Sequence, residues 1–413
     1  MSHYVMSGVL VAAVCCCVQA ATWAQAERDV KMAALLEAGA EPVTVVCFGD
    51  SVTGIYYHTG SRRAYSDMLA IALGRVYPES RLRVINAGIS GHTTADGLAR
   101  MENDVLSHKP HLVTVMFGLN DMLRVPLAEF DRNLTTIISR CRAIGAEVIL
   151  CTPNSVCETE RRPIAKLEEY VAAVRAVAER EKTPLVDCYA AFEAVRAANP
   201  VEWTLLMSEF IHPNMNGHKL VAECIAEAIA GRPVSLAGAG PLAPAIPRTL
   251  SLLSQGKPVK VFAMPPYDGI IGPALQAVAP SAQIEVTTWE VAGLSLAGLE
   301  ESAKAVREMG MDLIVVAVPA EVPVRPTQDN LFSYSWILSW ALSFEAYGWD
   351  CIAIPPSTAQ VDLSAAERDR DMLARRLIRA QDVGTIEREP GDTRDAAALV
   401  TEWVQNQAAE AMK

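Results

Sequence analysis

Residues 43–51 read Val-Thr-Val-Val-Cys-Phe-Gly-Asp-Ser, an apolar run that ends abruptly in glycine and two polar residues. A short run of β-branched and apolar residues closed by glycine predicts a buried parallel strand. Ligands of open α/β sheets bind at the carboxyl ends of the strands, so Ser51 would lie where a nucleophile is placed. A serine after Gly-Asp is equally typical of a turn or a helix N-cap, and only partner residues can decide between these interpretations.

Strand and helix patterns alternate from this strand to about residue 230. Such alternation predicts a parallel sheet covered by helices on both faces, with right-handed crossovers. Pro126 opens the third helix and Gly145 closes it, as start prolines and end glycines commonly do. Strands are predicted at 43–48, 82–86, 112–117, 148–151 and 185–186, and helices at 64–73, 94–106, 127–144, 164–180 and 219–229.

The composition bounds the class of protein. A chain of 413 residues, with 51% hydrophobic and 20% charged residues, is typical of a globular protein with two domains. The formal charge of −12 argues against nucleic acid as a partner, because phosphate contacts need clustered Lys and Arg. His212 and His218 are six positions apart, which matches no metal-ligand spacing, so neither a metal nor a cofactor is predicted.

Residues 1–26 resemble a secretory signal peptide. An apolar stretch at 5–18 is followed by Ala-Gln-Ala at 24–26, but no Lys or Arg precedes it. Export to the periplasm or the extracellular space is predicted, against a wrongly assigned start or a retained anchor; the stretch is too short for a stable membrane span. The predicted domains are a signal peptide at 1–26, a first domain at 27–230, a linker at 231–257 and a second domain at 258–413.

Seven cysteines lie beyond this leader. Their odd number, and the position of three of them inside strand patterns, favours small buried hydrophobic side chains over a disulfide framework. A single disulfide between Cys151 and Cys157 stays open as an alternative.

Three further stretches follow predicted strands or precede the last helix of the first half. Gly91 lies in 86–94, Asn120 lies in Gly-Leu-Asn-Asp at 118–121, and Glu209 precedes His212 in Glu-Phe-Ile-His-Pro-Asn. Each stretch alone is more typical of a turn or a helix cap. Together with Ser51 they supply a nucleophile, a base, a group that orients the base and donors for an oxyanion.

With these four blocks in order, residues 33–230 resemble the SGNH hydrolases, also called GDSL esterases and lipases. The resemblance implies a flavodoxin-like three-layer α/β/α sandwich and hydrolysis of an ester through an acyl-enzyme. It also implies Ser51 as nucleophile, His212 as base, and an oxyanion hole formed by the backbone N–H groups of Ser51 and Gly91 and the side chain of Asn120.

The last block departs from the family pattern, which has Asp where this chain has Glu209. A glutamate is one methylene longer, and it fills the acid role in other Ser-His hydrolases. Glu209 is therefore expected to orient His212. The alternative is a Ser51-His212 dyad that is oriented by a backbone carbonyl. Asp187, at the end of the fifth strand, is interpreted as a structural cap.

The second half repeats the pattern of the first. Residues 259–267 align with 43–51, residues 312–316 with 111–115, and residues 351–356 with 148–153. This order indicates an internal duplication, although two common α/β domains could share some of it by chance.

The copy lacks the residues that carry chemistry in the first half. Tyr267, Ala292 and Glu321 occupy the aligned positions of the serine, the glycine and the asparagine, and no histidine follows His218. The second half is expected to be a related α/β domain without a catalytic site of its own.

The expected substrate is a small-molecule or carbohydrate ester, with an acetyl ester favoured because no long apolar segment resembles a lipase lid. Tyrosines, a histidine and paired arginines at 55–65 could stack on a sugar ring or bind an acidic group, or they could simply cover the loop. A lysophospholipase or thioesterase is the nearest alternative. An impaired enzyme that serves as a glycan-binding or scaffolding protein is a second.

Overall fold

The computed structural model describes residues 31–343 and 348–413. Within these residues the chain divides into two compact units. The first unit comprises residues up to 55, 63–203 and 210–238; the second comprises 56–62, 204–209 and 239–413. The predicted signal peptide lies outside the described residues.

The predicted linker at 231–257 contains a helix at Pro247–Ser254, and the main part of the second unit begins at Ala239. Two short segments of the first half also belong to the second unit. No sequence pattern marked these segments, because their assignment depends on tertiary contacts.

The first unit contains a sheet of five parallel strands in the order β2-β1-β3-β4-β5. This is the strand order of flavodoxin-like folds, and it confirms the predicted fold class. The order reverses between β1 and β3, which is where such folds bind their ligands. The strands are β1 Pro42–Gly49, β2 Arg81–Gly88, β3 Leu112–Met116, β4 Glu147–Cys151 and β5 Leu185–Val186.

Helices α1 to α9 belong to the first half of the chain. Helix α2 packs against α9, and α5 packs against α6. Each predicted helix is present with ends that differ by a few residues, whereas α1, α4, α7 and α8 are additional. The helices are α1 Lys31–Ala38, α2 Tyr65–Val76, α3 Thr94–Asp104, α4 Asp121–Arg124, α5 Leu127–Ala143, α6 Ile164–Arg180, α7 Cys188–Ala198, α8 Pro200–Thr204 and α9 Met215–Ala230.

Asp187 begins the additional helix α7. Its carboxylate Oδ1 accepts a hydrogen bond from the Ala190 N–H at 3.0 Å, which satisfies one free donor of the first helical turn. Its Oδ2 lies 2.7 Å from Arg175 Nε on α6. The interpretation of Asp187 as a structural cap is thereby confirmed.

The end of β1 is tightly packed. All five residues of β3 beside it are buried, as are the last five of β1. A Cβ added at Gly49 would overlap Thr53 Oγ1 and lie 2.5 Å from the Met116 carbonyl oxygen. The glycine before Asp50 is therefore required by close approach of the next turn and of β3.

The second unit contains a second sheet of five parallel strands, in the order β10-β9-β8-β6-β7. Counted from the other edge, this is the strand order of the first sheet. The strands are β6 Val259–Ala263, β7 Ile284–Thr288, β8 Leu313–Val316, β9 Asp350–Ala353 and β10 Gly384–Thr385. The second half is thus a related α/β domain.

The helices of the second half are α10 to α15. Helix α11 packs against α15, and α12 packs against α13. The helices are α10 Pro247–Ser254, α11 Ile271–Val278, α12 Leu296–Ala303, α13 Gln328–Ala341, α14 Ala365–Ala380 and α15 Ala396–Ala411.

The register of the two sheets is the same at each aligned strand pair. Val45 pairs with Val84 in β2 and Leu112 in β3; the aligned Val261 pairs with Val286 in β7 and Leu313 in β8.

A side-chain contact recurs as well. His111 Nδ1 accepts the Thr44 N–H at 3.0 Å, and Asp312 Oδ2 accepts the Lys260 N–H at 3.0 Å. In both sheets, therefore, the side chain that precedes the third strand satisfies a backbone donor of the first.

The seven cysteines of the described residues are all buried, and no two of them form a disulfide with each other. The alternative of a Cys151–Cys157 disulfide is not realised, and burial raises the pKa of the Cys47 and Cys141 thiols to about 12. These cysteines act as small apolar side chains, as expected. Among the residues described, no helix has the length and apolar character needed to span a bilayer.

A substitution of Gly49 tests the packing at the end of β1. We expect Gly49→Ala to destabilise the chain by about 1 to 3 kcal/mol, because the new methyl group has no room. The matched control is Gly74→Ala in α2, where an added Cβ meets nothing within 4 Å and should be neutral or stabilising by up to about 1 kcal/mol. Thermal melting of both variants checks this, and equal melting temperatures would contradict it.

Candidate active site

Ser51 lies in the tight turn that follows β1. The Gly54 N–H donates to the Asp50 carbonyl at 3.0 Å, and the Val52 N–H donates to Asp50 Oδ1 at 2.9 Å. These two bonds close the turn from both sides of Ser51, whose side chain is 8% exposed. The serine is thus held at the carboxyl edge of the sheet.

The Ser51 hydroxyl lies 2.8 Å from His212 Nε2, although 161 positions separate the two residues. This is the distance of a hydrogen bond between a nucleophile and its base. In the neutral tautomer with the proton on Nδ1, Nε2 accepts from the hydroxyl and can take its proton.

The backbone before His212 is fixed by residues that follow β4. Asn154 Nδ2 donates to the Ile211 carbonyl at 2.9 Å, and the Cys157 N–H donates to the Phe210 carbonyl at 2.8 Å. After His212, Asn214 Oδ1 accepts the N–H groups of Asn216 and Gly217 and begins α9. The imidazole is therefore carried by backbone that is anchored on both sides.

His218 has a different role from His212. It is fully buried, and its Nδ1 accepts the Tyr65 N–H at 3.0 Å. Burial lowers the pKa of His218 to about 3, with a smaller contribution from His212. His218 is thus a neutral structural histidine that links α9 to the start of α2.

Gly91 and Asn120, the two predicted oxyanion donors, follow β2 and β3. Gly91 has a φ of +76°, a conformation that favours glycine, and an added Cβ there meets nothing within 4 Å. Asn120 Nδ2 donates to the His92 carbonyl at 3.1 Å and lies 3.5 Å from Asp50 Oδ2. The carboxamide of Asn120 is thereby tied to the backbone next to Gly91.

Two arginines that sequence reasoning missed fix this loop. Arg100 Nη2 donates to the Gly49 carbonyl at 2.9 Å, and its Nε donates to His92 Nδ1 at 3.2 Å. Arg124 donates to the Gly91 carbonyl. Arg100 therefore connects the end of β1 to the loop after β2. Neither arginine lies in a recognisable motif, since both reach the loop from helices that are placed by the fold.

A buried carboxylate that sequence reasoning also missed connects the blocks after β2 and β3. Asp121 Oδ1 accepts the Thr94 N–H at 2.8 Å and the Thr94 hydroxyl at 2.6 Å. The Asn133 side chain donates to the same hydroxyl at 3.0 Å. Burial raises the pKa of Asp121, although these hydrogen bonds oppose the shift. The contact fixes the start of α3 beside the asparagine block.

Glu209 belongs to the second compact unit, where its side chain is 6% exposed. It is therefore a buried carboxylate and not a solvated surface residue.

The segment at 55–65 uses several of its side chains in internal packing. Tyr57 stacks on Trp336, Arg62 pairs with Asp350 at 3.0 Å, and the buried Tyr65 lies 3.3 Å from the Thr53 hydroxyl. Of the two interpretations from the sequence, these contacts favour loop packing over sugar stacking for these three side chains.

Among the described residues, no group of three or more His, Cys, Asp or Glu side chains could hold a metal ion.

Comparisons with known proteins find relatives of the first half. The family model of the GDSL-like lipase/acylhydrolase family matches residues 47–220. An acetylxylan esterase of Geobacillus stearothermophilus is 33% identical over 163 residues, which cover 36% of this chain and 73% of that esterase. A crystal structure of Axe2, an acetylxylan esterase of the same organism, aligns with 28% identity and a TM-score of 0.40, over 45% of this chain and 94% of that one.

Two further relatives carry names other than acetylxylan esterase. An uncharacterized lipoprotein of Bacillus subtilis, YqeF, is 29% identical over 42% of this chain and 81% of its own length. The thioesterase 1/protease 1/lysophospholipase L1 of Escherichia coli strain K12 is 28% identical over 45% of this chain and 82% of its own length.

The chain belongs to the GDSL-like lipase/acylhydrolase family. It is a serine ester hydrolase of that family, which confirms the resemblance seen in the four sequence blocks.

Asp50 generates a prediction about stability and pH. Its carboxyl is 2% exposed, and burial raises its pKa from 3.8 to about 6. Between about pH 4 and pH 6 the folded state therefore binds more protons at Asp50 than the unfolded state does, so this group lowers the stability as the pH rises.

We expect Asp50→Asn to remove this contribution. The free energy of unfolding of the variant, relative to the wild type, should rise by up to about 3 kcal/mol between pH 4 and pH 7. Thermal melting at both pH values measures the difference. A difference that is the same at both pH values would contradict the burial of an ionisable carboxyl as its cause.

Proposed function

We propose that this chain hydrolyses a small acyl ester, an acetyl ester on a carbohydrate, through an acyl-enzyme on Ser51. The observation that carries the proposal is the 2.8 Å contact between the Ser51 hydroxyl and His212 Nε2 at the point where the strand order reverses. Support for the acetyl group comes from the acetylxylan esterase to which the first half is similar.

In the first step the Ser51 oxygen attacks the ester carbonyl while His212 Nε2 takes the hydroxyl proton. The carbon–oxygen bond to the alcohol then breaks, and the alcohol leaves with the proton from His212. A water molecule attacks the acyl-serine, gives its proton to His212 and releases the acid; the proton returns to Ser51.

Negative charge develops on the carbonyl oxygen in both half-reactions. The proposed donors are the backbone N–H groups of Ser51 and Gly91 and the carboxamide of Asn120. Asn120 Nδ2 donates to the His92 carbonyl at 3.1 Å and, over the longer distance of 3.5 Å, to Asp50 Oδ2, so the carboxamide is oriented before substrate arrives. The long bond to Asp50 is the one that this N–H would exchange for a bond to the oxyanion. Loss of one such donor typically costs about 3 to 4 kcal/mol in the barrier.

Glu209 is proposed as the third member of the triad, which orients His212 through Nδ1. Its buried carboxylate and its position three residues before His212 support this role. The second candidate is a Ser51-His212 dyad oriented by a backbone carbonyl, and substitution of Glu209 separates the two.

The second half is proposed to be a degenerate copy of the first. The shared strand order, the shared register and the recurring contact at His111 and Asp312 support common descent. The predicted domain limits at 27–230 and 258–413 enclose the two sheets. Export is proposed from the leader at 1–26, and the similarity to a lipoprotein supports it.

Three substitutions test the catalytic assignment. We expect Ser51→Ala and His212→Ala to lower turnover of p-nitrophenyl acetate by at least about 1,000-fold, because each removes the nucleophile or its base. Glu209→Gln should lower it by about 100-fold or more if Glu209 orients the base, and by less than about tenfold in a dyad.

Labelling by a fluorophosphonate probe is measured in parallel. Uptake by the wild type and none by Ser51→Ala is expected. A wild-type chain that is not labelled would contradict the esterase assignment and would favour a scaffolding or glycan-binding role.

The acyl preference is a separate prediction. On acetyl, butyryl and lauroyl p-nitrophenyl esters we expect kcat/KM to be highest for acetyl, with release of acetate from acetylated xylan. A higher value for lauroyl esters or acyl thioesters would instead favour the lysophospholipase or thioesterase alternative, which the relative from Escherichia coli represents.

A further inference from the structure

Two short segments that flank the catalytic residues along the chain fold with the second compact unit. Residues 56–62 begin five positions after Ser51, and residues 204–209 end three positions before His212. We call 56–62 and 204–209 the flanking segments. Within the second unit, the flanking segments contact helix α13 and the buried Asp350.

The first flanking segment is held by an aromatic ring and a buried ion pair. The Tyr57 ring stacks on Trp336 of α13, with centroids 6.1 Å apart and planes at 22°. Arg62 Nη2 donates to Asp350 Oδ1 at 3.0 Å, and the Asp350 side chain is fully buried. Asp350 Oδ2 also accepts the Thr249 N–H at 2.7 Å, so the carboxylate that receives Arg62 is itself fixed.

The second flanking segment meets the same helix. The hydroxyls of Ser208 and Ser339 lie 3.4 Å apart, and both residues are fully buried. Trp336, Ser339 and Trp340 are spaced i, i+3 and i+4 on α13, so they lie on one face of the helix. One face of α13 therefore contacts both flanking segments.

Arg307 contacts residues of both α13 and the first flanking segment. The Arg307 guanidinium lies 4.3 Å from the centre of the Trp340 ring and 5.3 Å from that of Tyr57, and Nη2 donates to the Ser339 carbonyl at 2.9 Å. Burial first, and then the charge of Glu209, raise the pKa of the Tyr57 hydroxyl to about 12, while Arg307 opposes the shift.

We propose that α13 of the second half is a positioning element of the esterase: Trp336 holds Tyr57, and Ser339 on the same helix face contacts Ser208 in the segment that carries Glu209. The inference rests on the proposed function, in which Glu209 orients His212. It gives the second half a role in catalysis without any catalytic residue of its own. Catalytic geometry tolerates little displacement, so a segment that leads into the base must be supported by packed side chains.

The test uses the full chain and replaces Trp336 in two ways. We expect Trp336→Leu to lower kcat for p-nitrophenyl acetate about tenfold or more, with KM changed less than about threefold, because orientation and not substrate binding is lost. Trp336→Phe keeps an aromatic face for Tyr57 and should stay within about threefold of the wild-type kcat.

Trp403→Leu is the matched control. Trp403 is a half-buried tryptophan of α15 in the same unit, and its ring has no stacking contact with the flanking segments among the residues described. It should leave kcat unchanged even if it lowers the melting temperature. If both leucine variants lose activity only in proportion to their stability, the effect is structural and the inference is overturned.

A double variant tests the route through Glu209. If Trp336 acts by placing Glu209, the kcat of Trp336→Leu with Glu209→Gln should be about that of Glu209→Gln alone, because the two changes remove one function. Losses that multiply would overturn this route.

Fluorophosphonate labelling distinguishes a failure of the inference about α13 from a failure of the proposed esterase function. A wild-type chain that is labelled quickly, together with slow labelling of Trp336→Leu, supports the inference. Equal labelling rates overturn the inference alone. An unlabelled wild type overturns the proposed function and the inference with it.

Discussion

The contact between the Ser51 hydroxyl and His212 Nε2 is the constraint on which the rest of the site depends. It joins residues 161 positions apart, so it exists only if β1 and the turn before α9 are placed by the whole first sheet. Two further hydrogen bonds support the placement of β1 and of the turn before α9. Arg100 holds the end of β1, and Asn154 holds the backbone before His212. Arg100 donates to the Gly49 carbonyl and Asn154 to the Ile211 carbonyl, and these carbonyls lie within two residues of Ser51 and His212.

The two halves share a strand order, but only the first contains the serine and histidine of the candidate site. The hydrophobic pattern of the strands sets the sheet order and register, and both halves keep them. Site residues lie in loops at the carboxyl ends of the strands, where a substitution such as tyrosine for serine leaves the core intact. A second half without nucleophile or histidine can therefore fold in the same way and still acquire another use. Its α13 packs against residues 56–62 and 204–209, and the proposed positioning role of α13 follows from these contacts.

Much of the fold could be predicted because its signals are local. The five strands of the first sheet were expected within two residues of their ends, since apolar runs closed by glycine or proline are strong patterns. Helix α7 was missed although its cap at Asp187 was recognised, because a helix that follows directly on a two-residue strand leaves little contrast in pattern. Arg100 and Arg124 were missed for another reason: an arginine on a helix surface has no sequence signature for the carbonyl it will reach.

The sequence by itself determined the class of fold, the family and the candidates Ser51, Gly91, Asn120 and His212, because periodicity and the order of the four blocks are written along the chain. The tertiary structure decided which histidine contacts the serine, since burial and the Tyr65 N–H make His218 structural. It also decided that Glu209 is buried and that residues 56–62 and 204–209 fold with the second unit. These outcomes depend on contacts between residues far apart in the chain, and no local pattern encodes such contacts.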